Sequence, residues 1–148
     1  MVLFVCTGNT CRSPMAAAIL RNKFIKDGIS IPVSSCGVFV GMGSTPTSGA
    51  IEAMESFGLT LDGHIPTQIS EEAVKDATII LTMTTRHKQL IVDSFPNASA
   101  KTYNIYEHIT GEPKDISDPY GGSAQLYIQT AKELEQIISL LEIAKENK

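Results

Sequence analysis

The chain has 148 residues, 43% apolar and 19% charged, with no low-complexity stretch, which suits one α/β domain over residues 1–148 built round one core. Its net charge of −4 and pI near 5.3 give no basic field for nucleic acid or an anionic membrane surface. Its apolar runs are far short of a bilayer span, and its start lacks the basic segment and small-residue cleavage site of a signal peptide, so a cytoplasmic location is expected; the chain is also expected to be a monomer, though no sequence feature speaks to that.

Val2-Leu3-Phe4-Val5 is apolar on both faces, the pattern of a buried strand. Ser13 can then supply an N-cap oxygen, Pro14 fits a first helical turn, and Met15-Ala16-Ala17-Ala18-Ile19-Leu20 favours helix. A helix is expected over Pro14 to Lys26, closed by Asp27-Gly28. The intervening loop, Cys6-Thr7-Gly8-Asn9-Thr10-Cys11-Arg12, would aim several backbone N–H groups at one point beside the positive end of the helix dipole, a setting for an anion. Gly8 permits backbone angles that a Cβ resists, and Asn9 is the next most tolerant residue type. Helix N-termini and nearby cations lower a thiol to roughly 3.5–7.5, so Cys6 is expected as a thiolate nucleophile at neutral pH. Arg12, charged at any working pH, offers forked donors that match two phosphate oxygens. A bare C-x5-R recurs by chance, and a cysteine at a strand end can be a small buried hydrophobe. The strand, Gly-Asn, Arg-Ser-Pro and helix in one run favour the chemical reading.

Ile31 to Ser35 reads as a second strand, and Ser44 to Gly49 is rich in turn formers. Ala50, Ile51, Ala53, Met54 and Phe57 recur at helical spacing until Gly58. Ser70 caps a short helix through Val74, Ala77 to Met83 is a third strand, Thr85 to Phe95 is helical, and Lys101 to Ile105 is a weaker fourth strand. Ala124 to Lys145 forms a long amphipathic helix. Strands separated by helices imply a parallel sheet with right-handed crossovers, whose ligands bind outside the carboxyl ends of strands. The Cys6 loop lies at such an end.

Displacement at phosphorus needs a proton for a poor leaving group, so a carboxylic acid is expected elsewhere in the chain. Asp118, in the turn-forming run Ser117-Asp118-Pro119-Tyr120-Gly121-Gly122, can reach across a pocket from a loop, with Tyr120 as an aromatic wall. Asp118-Pro119 could equally just start a turn before the last helix, and Asp115 is the competing carboxylate. Phe39 and Val40 could line one side of the pocket or pack onto the core. Cysteines at 6, 11 and 36 make neither a disulfide framework nor a zinc pattern, and Cys36 reads as structural. Histidines at 64, 87 and 108 lack metal-ligand spacing, and His87 and His108 read as surface. Neither a metal nor a cofactor is expected.

Val5-Cys6-Thr7-Gly8-Asn9-Thr10-Cys11-Arg12-Ser13-Pro14, with Asp118-Pro119-Tyr120, resembles the low-molecular-weight protein tyrosine phosphatase family along essentially the whole chain. The resemblance implies a four-stranded Rossmann-like sheet with helices on both faces, and a phosphate loop of Thr7, Gly8, Asn9, Thr10, Cys11 and Ser13. It further implies a phosphocysteine on Cys6, phosphate held by Arg12, and Asp118 acting as acid and then as base. Asn9 and Ser13 would order the loop and steady the thiolate, and His64 and Ser35 match the hydrogen-bonding shell round that Asn. Cys11 is either a buried thiol or, as the resemblance supports, the redox partner that closes a reversible disulfide with oxidised Cys6. Thr10 stands where the tyrosine phosphatases carry an aliphatic residue, and Gly121 where they carry a second aromatic. Both changes resemble the bacterial protein arginine phosphatases and suit a guanidinium. Phosphoarginine in proteins is therefore the expected substrate, phosphotyrosine the alternative, and phosphate or another oxyanion the group held in the loop. Arsenate reduction would need further cysteines in mid-chain, and none follows Cys36.

Overall fold

A computed structural model describes residues 1–142. Four parallel strands, β1 (Val2–Cys6), β2 (Val33–Gly37), β3 (Ile79–Thr82) and β4 (Thr102–Asn104), lie in the order β2-β1-β3-β4. The expected α/β architecture is the one observed. Because side chains alternate along a strand, β1 feeds two cores. Val2, Phe4 and Cys6 pack towards α1 (Arg12–Asp27), α2 (Ser48–Ser56) and α6 (Ala124–Ser139). Leu3 and Val5 pack on the other face with Val74 of α3 (Glu71–Asp76) and Ile91 of α4 (Thr85–Ser94). A short α5 (Ile105–Thr110) follows β4.

The sheet reverses direction of growth between β1 and β3, so the chain leaving β1 turns to α1 on one face and the chain leaving β3 turns to α4 on the other. That divergence opens a crevice at the carboxyl ends of the central strands. Cys6 ends β1 at this point.

Several boundaries differ from expectation for identifiable reasons. β2 starts at Val33, because Pro32 has no N–H to give the ladder; its carbonyl instead accepts from Val2 N at 2.9 Å. α1 starts at Arg12, capped by Cys11 with no side-chain hydrogen bond, so Ser13 lies inside the helix and does not cap it. α6 stops at Ser139, where Leu140 and Leu141 tighten the last turn onto Ile137 and Ile138; residues 143–145 of the expected helix lie outside the described residues. α5 and a 3-10 turn over Pro96–Lys101 were not expected.

Candidate active site

The loop from Cys6 to Arg12 is held by its own asparagine. Asn9 adopts φ +57 in the left-handed region and is fully buried, so every polar atom of its side chain needs a partner. Its Nδ2 donates to Ser13 Oγ at 2.8 Å and Ser35 Oγ at 3.0 Å, and its Oδ1 accepts from Thr67 N at 2.9 Å. His64 Nε2 donates to the Asn9 carbonyl at 2.8 Å. β2 closes the loop from behind: a Cβ on Gly37 would lie 2.5 Å from the Thr7 carbonyl oxygen and 3.0 Å from Asn9 N.

Cys6 Sγ lies 2.8 Å from Ser13 Oγ. Asn9 already fills an acceptor position on that oxygen, and the Ser13 proton goes to the sulfur, which is the nearer acceptor; the Cys36 carbonyl lies at 3.4 Å. Burial pushes the Cys6 thiol up, against the lowering influence of the Ser13 hydroxyl, the Ser13 backbone N–H, Arg12 and the Asn9 backbone. This corrects the expectation of a lowered value, which counted helix end and cation but not desolvation.

Arg12 is 5% exposed and fixed at three points. Nη1 donates to the Ile116 carbonyl at 2.9 Å, and Nη2 lies 3.5 Å from both Thr7 Oγ1 and Asp118 Oδ2. Its buried Nε has no partner among the described residues, so one edge of the fork is left for a ligand in the loop. Asp115, the competing carboxylate, is occupied. Its Oδ1 accepts from Thr85 N and Asn104 Nδ2, both at 3.0 Å, and so pins the loop that carries Asp118 to α4 and the end of β4. Asp118 stays half exposed, its Oδ1 accepting only from Tyr120 N at 3.1 Å. A cavity of 630 Å³ joins these groups, lined by Cys6, Thr10, Arg12, Asp118 and Tyr120 and faced by the segment Gly43–Ser48.

The whole of residues 1–148 matches the family described as low molecular weight phosphotyrosine protein phosphatase. The chain belongs to that family. It is 39% identical over 140 residues to the protein-arginine-phosphatase of Bacillus subtilis (strain 168), covering 95% of this chain and 93% of that one. To the low molecular weight protein-tyrosine-phosphatase PtpB of Staphylococcus haemolyticus (strain JCSC1435) it is 36% identical, covering 95% and 96%. A solved structure of the YwlE arginine phosphatase, a cysteine-to-serine mutant with a phosphorylated active-site serine, superposes with a TM-score of 0.91 at 37% identity, covering 94% of this chain and 91% of that one. The chain is thus a cysteine-dependent protein phosphatase.

Within this phosphatase the loop residues Thr7, Gly8, Thr10 and Cys11 line the cavity, whereas Asn9, Ser13 and Ser35 are buried behind it. Cys11 Sγ neighbours Thr47 Oγ1 at 3.4 Å and Tyr127 OH at 3.7 Å. Phe39 does not line the cavity: its backbone N–H is tied to the Thr7 carbonyl while its side chain, 65% exposed, points to solvent. Burial pushes the Cys36 thiol up to about 12, with Cys6 adding to the rise, which leaves it an inert core group. His87 is the chief misreading, for it is buried against the loop and not at the surface. The signal was available, because His87 and Ile91 stand at i and i+4 on the inward face of α4. Gly37 and Thr47 also escaped notice. A glycine ending a strand opposite the loop was the clue to the first.

Proposed function

We propose that the chain hydrolyses phosphoarginine in proteins through a phosphocysteine intermediate. The observation that carries the substrate class is the run of hydroxyls on the cavity wall: Thr10 on the loop, Ser44, Thr45, Thr47 and Ser48 opposite, round Pro46, and Tyr120 as the sole aromatic among the described lining residues. A phenyl ring gains most from apolar and aromatic surface, whereas a guanidinium carries N–H donors that hydroxyl and carboxylate oxygens can satisfy. Gly121, at φ +78, keeps the second aromatic out, and a side chain there would be strained. The relatives named protein-arginine-phosphatases support the same reading.

In this reading the Cys6 sulfur attacks phosphorus in line with the P–N bond, and Asp118 gives its proton to the departing guanidine nitrogen. Arg12 and the loop N–H groups hold the oxygens on which charge accumulates. Asp118, now a carboxylate, takes a proton from water as that water attacks the phosphocysteine. The P–S bond breaks and the electron pair returns to sulfur beside the Ser13 hydroxyl. Tyr120 and the PtpB relatives favour phosphotyrosine as the second reading, with the same groups.

The test compares kcat/KM on peptides of matched sequence carrying phosphoarginine or phosphotyrosine. Wild type is expected to prefer phosphoarginine by about tenfold or more, and Thr10→Ile to shift the preference towards phosphotyrosine. A wild-type preference for phosphotyrosine overturns the substrate assignment and leaves the phosphatase chemistry standing.

Cys11 completes the reading as redox partner: peroxide converts Cys6 to a sulfenic acid, and the Cys11 thiol displaces water to close a disulfide. Peroxide treatment should then cost wild type two hydrogens by mass and be reversed by dithiothreitol, while Cys11→Ser proceeds to irreversible oxidation. Three free thiols support a cytoplasmic location, where a reducing pool preserves them.

A further inference from the structure

α4 brings to the site one titratable side chain that the chemistry above does not use. His87 lies in the first turn of the helix, its backbone N–H bonded to the N-cap Thr84 hydroxyl at 3.1 Å, and its ring is only 4% exposed. Nε2 lies 2.8 Å from Thr7 Oγ1, the same oxygen that stands 3.5 Å from Arg12 Nη2. Nδ1 is buried with no partner among the described residues.

These contacts select a tautomer. Burial and then the Arg12 guanidinium push the ring down to about 4; Asp115 and Asp118 pull the other way, and Arg86 adds to the lowering. A neutral imidazole has one N–H and one bare nitrogen. A buried N–H without an acceptor is the rarer and costlier orphan, so the proton sits on Nε2 and is donated to Thr7. Thr7 Oγ1 then accepts from His87 and from Arg12, which occupies both lone pairs. Its own proton has to point elsewhere, and Thr7 is an exposed residue of the cavity wall.

We propose that His87 is a positioning residue that acts through Thr7, fixing the Arg12 fork and committing the Thr7 O–H as a donor to the transferred phosphoryl group. The inference rests on the phosphatase reading of Cys6 and Arg12. It explains how Arg12 keeps its aim through the reaction. Of the two oxygens near Nη2, Asp118 Oδ2 belongs to the acid that must serve the leaving group, whereas Thr7 is locked from behind by a ring that does not change charge at neutral pH.

The experiment measures hydrolysis of p-nitrophenyl phosphate and competitive inhibition by inorganic phosphate for wild type, His87→Phe, His87→Gln, Thr7→Val and the His87→Phe/Thr7→Val double variant. An aryl phosphate that leaves easily needs little from Asp118, so the readout reports on the phosphoryl group. His87→Phe is expected to lower kcat/KM about five- to tenfold and to raise the phosphate inhibition constant by a similar factor, the scale of one positioned hydrogen bond. Thr7→Val should match it, the double variant should lose no more than either, and His87→Gln, whose amide nitrogen can reach the place of Nε2, should recover most of the loss. Thr7→Val, at an exposed position, carries the test even if His87→Phe does not fold. Full activity in Thr7→Val, additive losses in the double variant, or a Gln variant as impaired as Phe would each overturn the proposal. A wild-type chain inactive on both p-nitrophenyl phosphate and phosphoarginine peptides would instead remove the phosphatase reading, and this inference with it.

Discussion

Ser13 is the residue on which the reactivity of Cys6 turns. Burial raises the thiol, and the Ser13 hydroxyl, 2.8 Å from the sulfur, is the largest influence in the opposite direction. Ser13→Ala should therefore raise the thiol titration by about one to two units, the worth of a hydrogen bond to a charged group. Activity that needs thiolate appears as pH rises through that value, so the rising limb moves to higher pH. The pH dependence of alkylation by iodoacetamide measures it directly, and an unchanged midpoint would assign the stabilisation to the loop N–H groups and Arg12 instead. Asp118→Asn separates the acid from the clamp. It should slow phosphoarginine hydrolysis about a hundredfold or more while sparing p-nitrophenyl phosphate, since general acid catalysis matters most for the poorer leaving group. Equal losses on both substrates would move the proton donor to another residue, and Asp115 is already held by Thr85 and Asn104.

β2 contributes no side chain to the chemistry, yet its last residue shapes the loop. Gly37→Ala would force a Cβ against the Thr7 carbonyl and Asn9 N, backbone atoms that cannot swing aside as a side chain would. A loss of about 1–3 kcal/mol in urea unfolding is expected, with weaker phosphate binding by calorimetry, because the displaced atoms belong to the anion loop. Binding equal to wild type would show that the loop tolerates the shift. Why Gly37 was not foreseen is instructive. The strands were legible, because runs such as Val2-Leu3-Phe4-Val5 have no polar face to confuse. The loop was legible because its residues are adjacent in sequence. Close approach between separate elements is not written in either pattern: helical spacing could have placed His87 on the inward face of α4 and a strand-end glycine could have flagged Gly37, but what His87, Gly37 and Thr47 approach is given only by the fold. Ser13 shows the converse error: by local preference it is a cap, but tertiary context turns its hydroxyl to Cys6 and lets α1 begin two residues earlier, at Arg12. α5 and the turn at Pro96–Lys101 are too short to display a period.

At the scale of the whole molecule, the divergence of the chain after β1 and β3 creates the crevice and also buries an imidazole beneath it. That burial makes the fold sensitive to acid. The His87 ring titrates near 4 in the folded chain against an ordinary 6.5, so between those values the unfolded chain binds a proton that the folded chain refuses. Stability therefore falls as pH drops through this window and, as far as His87 is concerned, levels off below it. Across the full window the contribution is on the order of 3 kcal/mol, a sizeable part of the margin of a domain of this length. Unfolding free energies from urea titrations at about pH 7 and about pH 4.5 isolate it when His87→Gln is set beside wild type, because every other titratable side chain is common to the two proteins. The difference between the two pH values should be smaller in the Gln variant by roughly 2 kcal/mol or more, even if that variant is less stable at neutral pH. An identical difference in both proteins would mean that the crevice accepts the imidazolium without penalty through Asp115 and Asp118, the two carboxylates that already pull the ring upward.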